Sequence, residues 1–125
     1  MVLWTLENAW GGEIMVPKIA SYRITDVATA VAPECRQTIV GVRPGEKIHE
    51  EMITASDSLN TVDLGSYYAI LPMGAAYTLE EYCKATGAAP VAQDFTYNSG
   101  DNPQRLDVAK LRELIRAHVD PAHKA

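Results

Sequence analysis

The chain has 125 residues and a mass of 13.7 kDa, room for one ordinary domain, and 47% of its residues are apolar, enough for a core. Its formal net charge of −5 and pI of about 5.1, with no basic stripe interleaved with aromatics, exclude nucleic acid as the expected partner. No apolar run approaches the roughly 18 residues of a membrane span, no leader peptide is legible before Gly11-Gly12, and the two cysteines, Cys35 and Cys83, form no Cys-x-x-Cys pair; a reduced cytoplasmic protein fits, with no membrane partner.

In chain order, Leu3, Leu6 and Trp10 recur at helical spacing, and Gly11-Gly12 is expected to stop that helix as a C-cap. Nothing before Val2 could cap it, which suggests a truncated start with an apolar face that needs a cover. Glu13–Val16 reads as a short strand ended by Pro17, and Ser21–Ile24 as extended. Thr25 is expected to cap a helix carrying Val27, Ala30 and Val31, ended by Pro33. Thr38–Val42 is a β-branched second strand, and a third helix is expected over about Gly45–Ile53, burying Ile48, Met52 and Ile53. Strand, crossover helix and strand together predict a right-handed βαβ unit. Ala55–Gly65 is polar and turn-rich, and Tyr67–Leu71 is an apolar extended segment closed by Pro72. Thr78 and Glu81 form a capping box for a helix over Leu79–Ala85. Ala88–Pro103, with little periodicity, reads as an arm lying on a surface. Asp107 caps a last helix with Val108, Leu111, Leu114, Ile115 and His118 on one face, ended by Pro121. The expected fold is α+β, a small, mostly parallel sheet with packed helices. It forms a single domain over 1–125, with a C-terminal arm and helix from about 88 to 120.

The candidate site is the corner TIVGVRPGEKIHEEMI, residues 38–53. A strand ending at Arg43 and a helix starting near Gly45 would put a guanidinium beside unpaired backbone N–H groups and a positive dipole end, a phosphate cradle. Arg43 offers a planar fork for two phosphate oxygens, and Gly45 permits close backbone approach. From spacing alone, an ordinary corner with a surface arginine accounts for the same residues. Absences narrow the chemistry. No Gly-x-Gly-x-x-Gly follows a strand, and no Tyr-x-x-x-Lys pair occurs. His49, His118 and His123 are isolated, so no metal set is legible. Glu50 and Glu51 beside His49 read as a solvated face. A binding corner is visible and a catalytic set is not.

The segments GGEIMVPKIASYRITDVATAVAP, IVGVRPGEKIHEEMI, DSLNTVDLGSYYAILP and TYNSGDNPQRLDVAKLRELI run in order and span about Leu3 to Ile115. They resemble the C-terminal part of the inverting UDP-N-acetylglucosamine 4,6-dehydratases, extended short-chain dehydrogenase/reductases that begin pseudaminic acid synthesis for flagellin glycosylation, with relatives in capsule and O-antigen synthesis. RPGEK-x-HE-x-MI is the specific part. The resemblance implies a fold like the C-terminal, substrate-binding lobe of such an enzyme without its Rossmann domain. It implies that Arg43 contacts the nucleotide-sugar diphosphate, that Glu46 accepts hydrogen bonds from ribose hydroxyls, and that Lys18 faces the same pocket. For Glu46 a role at a helix start, and for Lys18 a solvated position after a strand, are equally simple. The family's reaction, a lyase reaction, is oxidation at C4 by bound NAD(P), loss of water across C5–C6, and hydride return with inversion at C5; NAD(P) belongs to the full-length family and no catalytic residue is assigned here.

Three functions compete: a substrate-lobe fragment of the dehydratase, completed by a Rossmann-domain partner and not catalytic alone; a stand-alone UDP-sugar binding module; and an assembly piece that forms a homo-oligomer.

Overall fold

A computed structural model describes residues 1–122. In chain order the elements are α1 (Val2–Asn8), β1 (Ile14–Pro17), α2 (Ile24–Val31), β2 (Glu51–Ile53), a 3-10 turn (Asp57–Asn60), β3 (Thr61–Asp63), β4 (Tyr67–Ile70), α3 (Leu79–Thr86), β5 (Ala89–Pro90), β6 (Tyr97–Asn98) and α4 (Val108–His118). They fall into two compact units, one of residues 1–19 and 51–98, the other of residues 20–50 and 99–125; of the second, only residues up to 122 are described.

The first unit holds a four-stranded sheet in the order β1-β4-β3-β5, and every pairing is antiparallel. β3 and β4 form a hairpin whose turn is built by sequence. Asp63 accepts from the Gly65 N–H at 2.7 Å, Gly65 takes a left-handed φ of +85°, and the Leu64 N–H donates to the Tyr67 carbonyl at 2.8 Å. The hairpin fixes the register that sets Val62 against Ala69. Those two residues, Leu71 and Tyr82 of α3 make the buried cluster, with Met15, Leu64, Tyr77 and Leu79 packed around it. The capping box at α3 is as expected: the Thr78 hydroxyl accepts from the Glu81 N–H at 3.2 Å, and the Glu81 carboxylate accepts from the Thr78 N–H at 2.8 Å. A second small antiparallel pair joins β2 to β6.

The second unit is built on α2 packed against α4, with Ala30 and Leu111 buried. Asp107 caps α4 as expected, its carboxylate accepting from the Lys110 N–H at 2.8 Å. Ser21 meets Arg105 in an isolated parallel bridge, its N–H donating to the Gln104 carbonyl and its carbonyl accepting from the Leu106 N–H, both at 2.9 Å.

The mostly parallel sheet is therefore corrected: both sheets are antiparallel. The βαβ unit required Thr38–Val42 to be a strand, and it is not one. Its β-branched side chains are exposed, Ile39 at 92% and Val40 at 91%, and β1 takes its partner from the β3–β4 hairpin instead. β-propensity describes fit to a half-buried surface, and without a partner strand the run has nothing to fit. The helix over Gly45–Ile53 is likewise absent. Gly45 sits at φ +86°, Ile48 is 77% exposed, and Ile53 is buried as part of β2. Tertiary pairing of β2 with β6 overrides the local helical spacing.

Smaller differences have local causes. α1 is capped at Ala9, ahead of Gly11-Gly12, and the Glu13 carboxylate gathers the N–H groups of Trp10 and Gly11 at 2.6 and 2.7 Å. Arg23, not Thr25, is the N-cap of α2; Thr25 lies in the first turn, where its carbonyl accepts from the Thr29 hydroxyl. Within Ala88–Pro103, the expected surface arm, β5 and β6 each join a sheet. His123 lies outside the described residues. Among those described, no helix is long and apolar enough to cross a membrane.

Candidate functional site

Arg43-Pro44-Gly45-Glu46 forms a tight turn closed by the Glu46 N–H donating to the Arg43 carbonyl at 3.0 Å. Proline at the second position fixes φ, and glycine at the third supplies the positive φ, the pattern of a type II turn. The turn tucks Glu46 back on Arg43. One carboxylate oxygen accepts from the Arg43 backbone N–H and the other from its Nε, both at 2.8 Å. The arginine side chain remains 86% exposed. A Cβ built on Gly45 would meet no atom within 4 Å, so the glycine serves the turn and leaves open space beside it. Val42, Gly45, Glu46, Lys47 and Glu50 line an open depression of about 510 Å³. Arg43, Gly45 and Glu46 thus lie together in one turn. The helix N-terminus expected to reinforce them is replaced by this turn, so no macrodipole acts there. An exposed arginine beside an open polar depression can grip an anion, and the depression carries no nucleophile poised against a base.

Lys18 belongs to the other compact unit. It follows β1, and its ammonium bonds both carboxylate oxygens of Asp63 at 2.6 and 2.7 Å while lying 4.4 Å from the centre of the Tyr68 ring. Burial works to raise the Asp63 carboxyl. The Lys18 hydrogen bond, the Gly65 N–H and the ammonium charge outweigh it and hold the group below its ordinary value of 3.8. Burial raises the Tyr68 phenol. Around it stand Phe95 and Tyr97, ring centres 5.2 and 5.3 Å away, and the Tyr97 hydroxyl accepts from the Ile19 N–H and donates to the Ile19 carbonyl, both at 2.8 Å. Sequence reasoning missed this cluster because the segment around Phe95 and Tyr97 was treated as a featureless arm. The signal available was the two-residue spacing of those rings, the period of one strand face.

Comparison with known proteins bears on both places. The chain is 40% identical over 118 residues to the UDP-N-acetylglucosamine 4,6-dehydratase (inverting) of Campylobacter jejuni, covering 91% of this chain and 35% of that protein. It is 30% identical over 119 residues to the UDP-glucose 4-epimerase of Rickettsia prowazekii, covering 92% of this chain and 34% of that one. Among solved structures it resembles Pen from Bacillus thuringiensis, with a TM-score of 0.68 and 26% identity over 92% of this chain and 34% of that one. The chain thus spans about a third of the length of these relatives. The likenesses support the extended short-chain dehydrogenase/reductases as its class. The family described as polysaccharide biosynthesis protein matches residues 1–72, more than half of the chain, and the chain belongs to it. That span includes Lys18, Arg43, Gly45 and Glu46. It is the N-terminal part of this chain, and the narrower expectation of a match to the C-terminal part of such an enzyme is not supported by it.

Proposed function

We propose that this chain supplies the nucleotide-sugar-holding part of a sugar-nucleotide enzyme of surface-glycan biosynthesis, with a UDP-N-acetylglucosamine-like ligand and Arg43 on its diphosphate. The observation that carries this reading is the Arg43 turn: a fixed backbone corner, inside the family-matched residues, carries an exposed arginine side chain, and its chain neighbours Val42, Gly45, Glu46 and Lys47 line an open depression. Gly45 keeps the approach clear. The names of the relatives, a UDP-N-acetylglucosamine dehydratase and a UDP-glucose epimerase, support the ligand class. Lys18 is committed to Asp63 in the free chain, so a ligand contact there requires that pair to open. The NAD(P) of the dehydratase reaction finds no fit in these residues. No glycine-rich fingerprint is present, and neither sheet has a parallel strand running into a helix.

Calorimetry tests the reading. UDP should bind weakly and uridine more weakly still. A charge-assisted arginine–phosphate contact contributes roughly 1.5–3 kcal/mol, so Arg43→Ala should weaken UDP binding about tenfold or more. Equal binding of UDP by the two proteins would end it.

The assembly reading keeps one specific observation. α1 leaves Val2, Leu3 and Leu6 exposed, an apolar stripe on a short helix. Self-association at high micromolar concentration in light scattering would support it, and a monomer would remove it.

A further inference from the structure

Arg43 already has an anion. Both oxygens of the Glu46 carboxylate are bonded to it, one on the backbone N–H and one on Nε. The second bond occupies the side edge of the guanidinium, the edge made by Nε and one Nη. Among the described residues no hydrogen bond engages either Nη of Arg43. The depression beside the turn adds to the conflict: two acidic residues, Glu46 and Glu50, and one basic residue, Lys47, are among those that line it, so the local formal charge does not favour an arriving anion.

We propose that Glu46 is an internal competitor for Arg43, holding the guanidinium closed in the free chain and giving way when a nucleoside diphosphate takes its place. This rests on the reading that Arg43 binds a diphosphate, and it gives Glu46 a role of opposite sign to the one the resemblance implied. A carboxylate that accepts from ribose hydroxyls strengthens binding of every ligand that carries a ribose. A carboxylate that competes for the arginine weakens binding of ligands that carry phosphate and leaves the rest alone. The turn makes the competition local and reproducible, because proline and a left-handed glycine set the backbone that brings Glu46 onto Arg43. The pair is exposed, 86% for the arginine side chain and 44% for the glutamate, so its strength is modest and a doubly charged ligand can displace it.

Calorimetry of the whole chain with UDP and with uridine decides the matter, using wild type, Glu46→Gln, Arg43→Ala, the double variant and Glu50→Gln. Glutamine keeps an oxygen for the turn's N–H and removes the charge. Glu46→Gln should bind UDP about two- to fivefold more tightly and leave uridine unchanged, the size expected for releasing an exposed ion pair. In the Arg43→Ala background the same substitution should tighten UDP binding no more than Glu50→Gln does in the wild-type background. Glu50→Gln, whose carboxylate lines the depression without an ion pair to Arg43, should tighten UDP binding less than Glu46→Gln does. Weaker or unchanged UDP binding by Glu46→Gln overturns the competitor role. So does a tightening that persists in full without Arg43, or one that Glu50→Gln matches. Should Arg43→Ala bind UDP as well as wild type, the nucleotide-sugar reading falls and takes this inference with it. Should Arg43→Ala lose UDP while Glu46→Gln fails to gain it, only the competitor role falls.

Discussion

Replacing Val62 and Val40 by alanine, one at a time, applies the same chemical change to two environments that the sequence treats alike and the structure separates. Val62 is fully buried between its register partners Ala69 and Pro90, whereas Val40 is 91% exposed. At Val62 the change removes two methyl groups from the core. Transfer alone costs about 1.6 kcal/mol at roughly 0.8 kcal/mol per group, and the cavity left behind brings the total to about 2–3 kcal/mol. At Val40 no packing is lost, and the change should stay within about 0.5 kcal/mol. Both tryptophans, Trp4 and Trp10, belong to the same compact unit as Val62, so tryptophan fluorescence in urea reports that unit. Val62→Ala should lower its midpoint by about 1 M, given slopes of roughly 1–3 kcal/mol per M. Far-ultraviolet circular dichroism, which sums over all the helices, α2 and α4 included, should show no shift of comparable size for Val40→Ala. If Val40→Ala costs as much as Val62→Ala, then Thr38–Val42 is packed, and its assignment as unpaired chain is wrong.

Three further outcomes are expected. Thr78→Ala breaks the α3 capping box and should cost about 1 kcal/mol in the same fluorescence-monitored unfolding; no change would mean that the box contributes nothing. Asp63 is held below its ordinary value of 3.8, so its contribution is present above that value and lost as pH falls through the lower folded one. Acid unfolding followed by tryptophan fluorescence should therefore be steeper below about pH 4 in wild type than in Asp63→Asn, and identical curves would refute the Lys18–Asp63 clamp. In hydrogen exchange, the amides of Ile39, Val40 and Val42 should exchange with little protection while those of Val62 and Ala69 are slow; protection at Val40 would restore the strand that the sequence suggested.

The parts legible in the sequence are those whose cause is local. The Thr78–Glu81 box and the Asp107 cap each join a side chain to a backbone group three residues away, and both form as read. The strand at β1 and the extended run of β4 were visible from their apolar residues and prolines. What failed depended on partners distant in sequence. Thr38–Val42 has the composition of a strand but no ladder, and the segment Gly45–Ile53, expected as a helix, gives its last residues to pairing with β6. Sheet direction failed for the same reason, since it follows from β1 meeting β4, whose paired residues lie 50 to 56 positions apart. The site shows both cases. The Arg43-Pro44-Gly45-Glu46 corner was legible because a turn is local. The attachment of Lys18 to Asp63 and Tyr68 was not, because those residues lie 45 and 50 positions away.

The central claim is that ligand phosphate is held at the Arg43 turn, and amide chemical-shift mapping of the labelled chain during titration with UDP tests it at residue level. The account predicts shifts concentrated at Arg43, Gly45, Glu46 and Lys47, reduced for uridine and lost in Arg43→Ala. Shifts confined to the surroundings of Lys18, Tyr68 and Tyr97, or shifts at the turn that persist in Arg43→Ala, would contradict it.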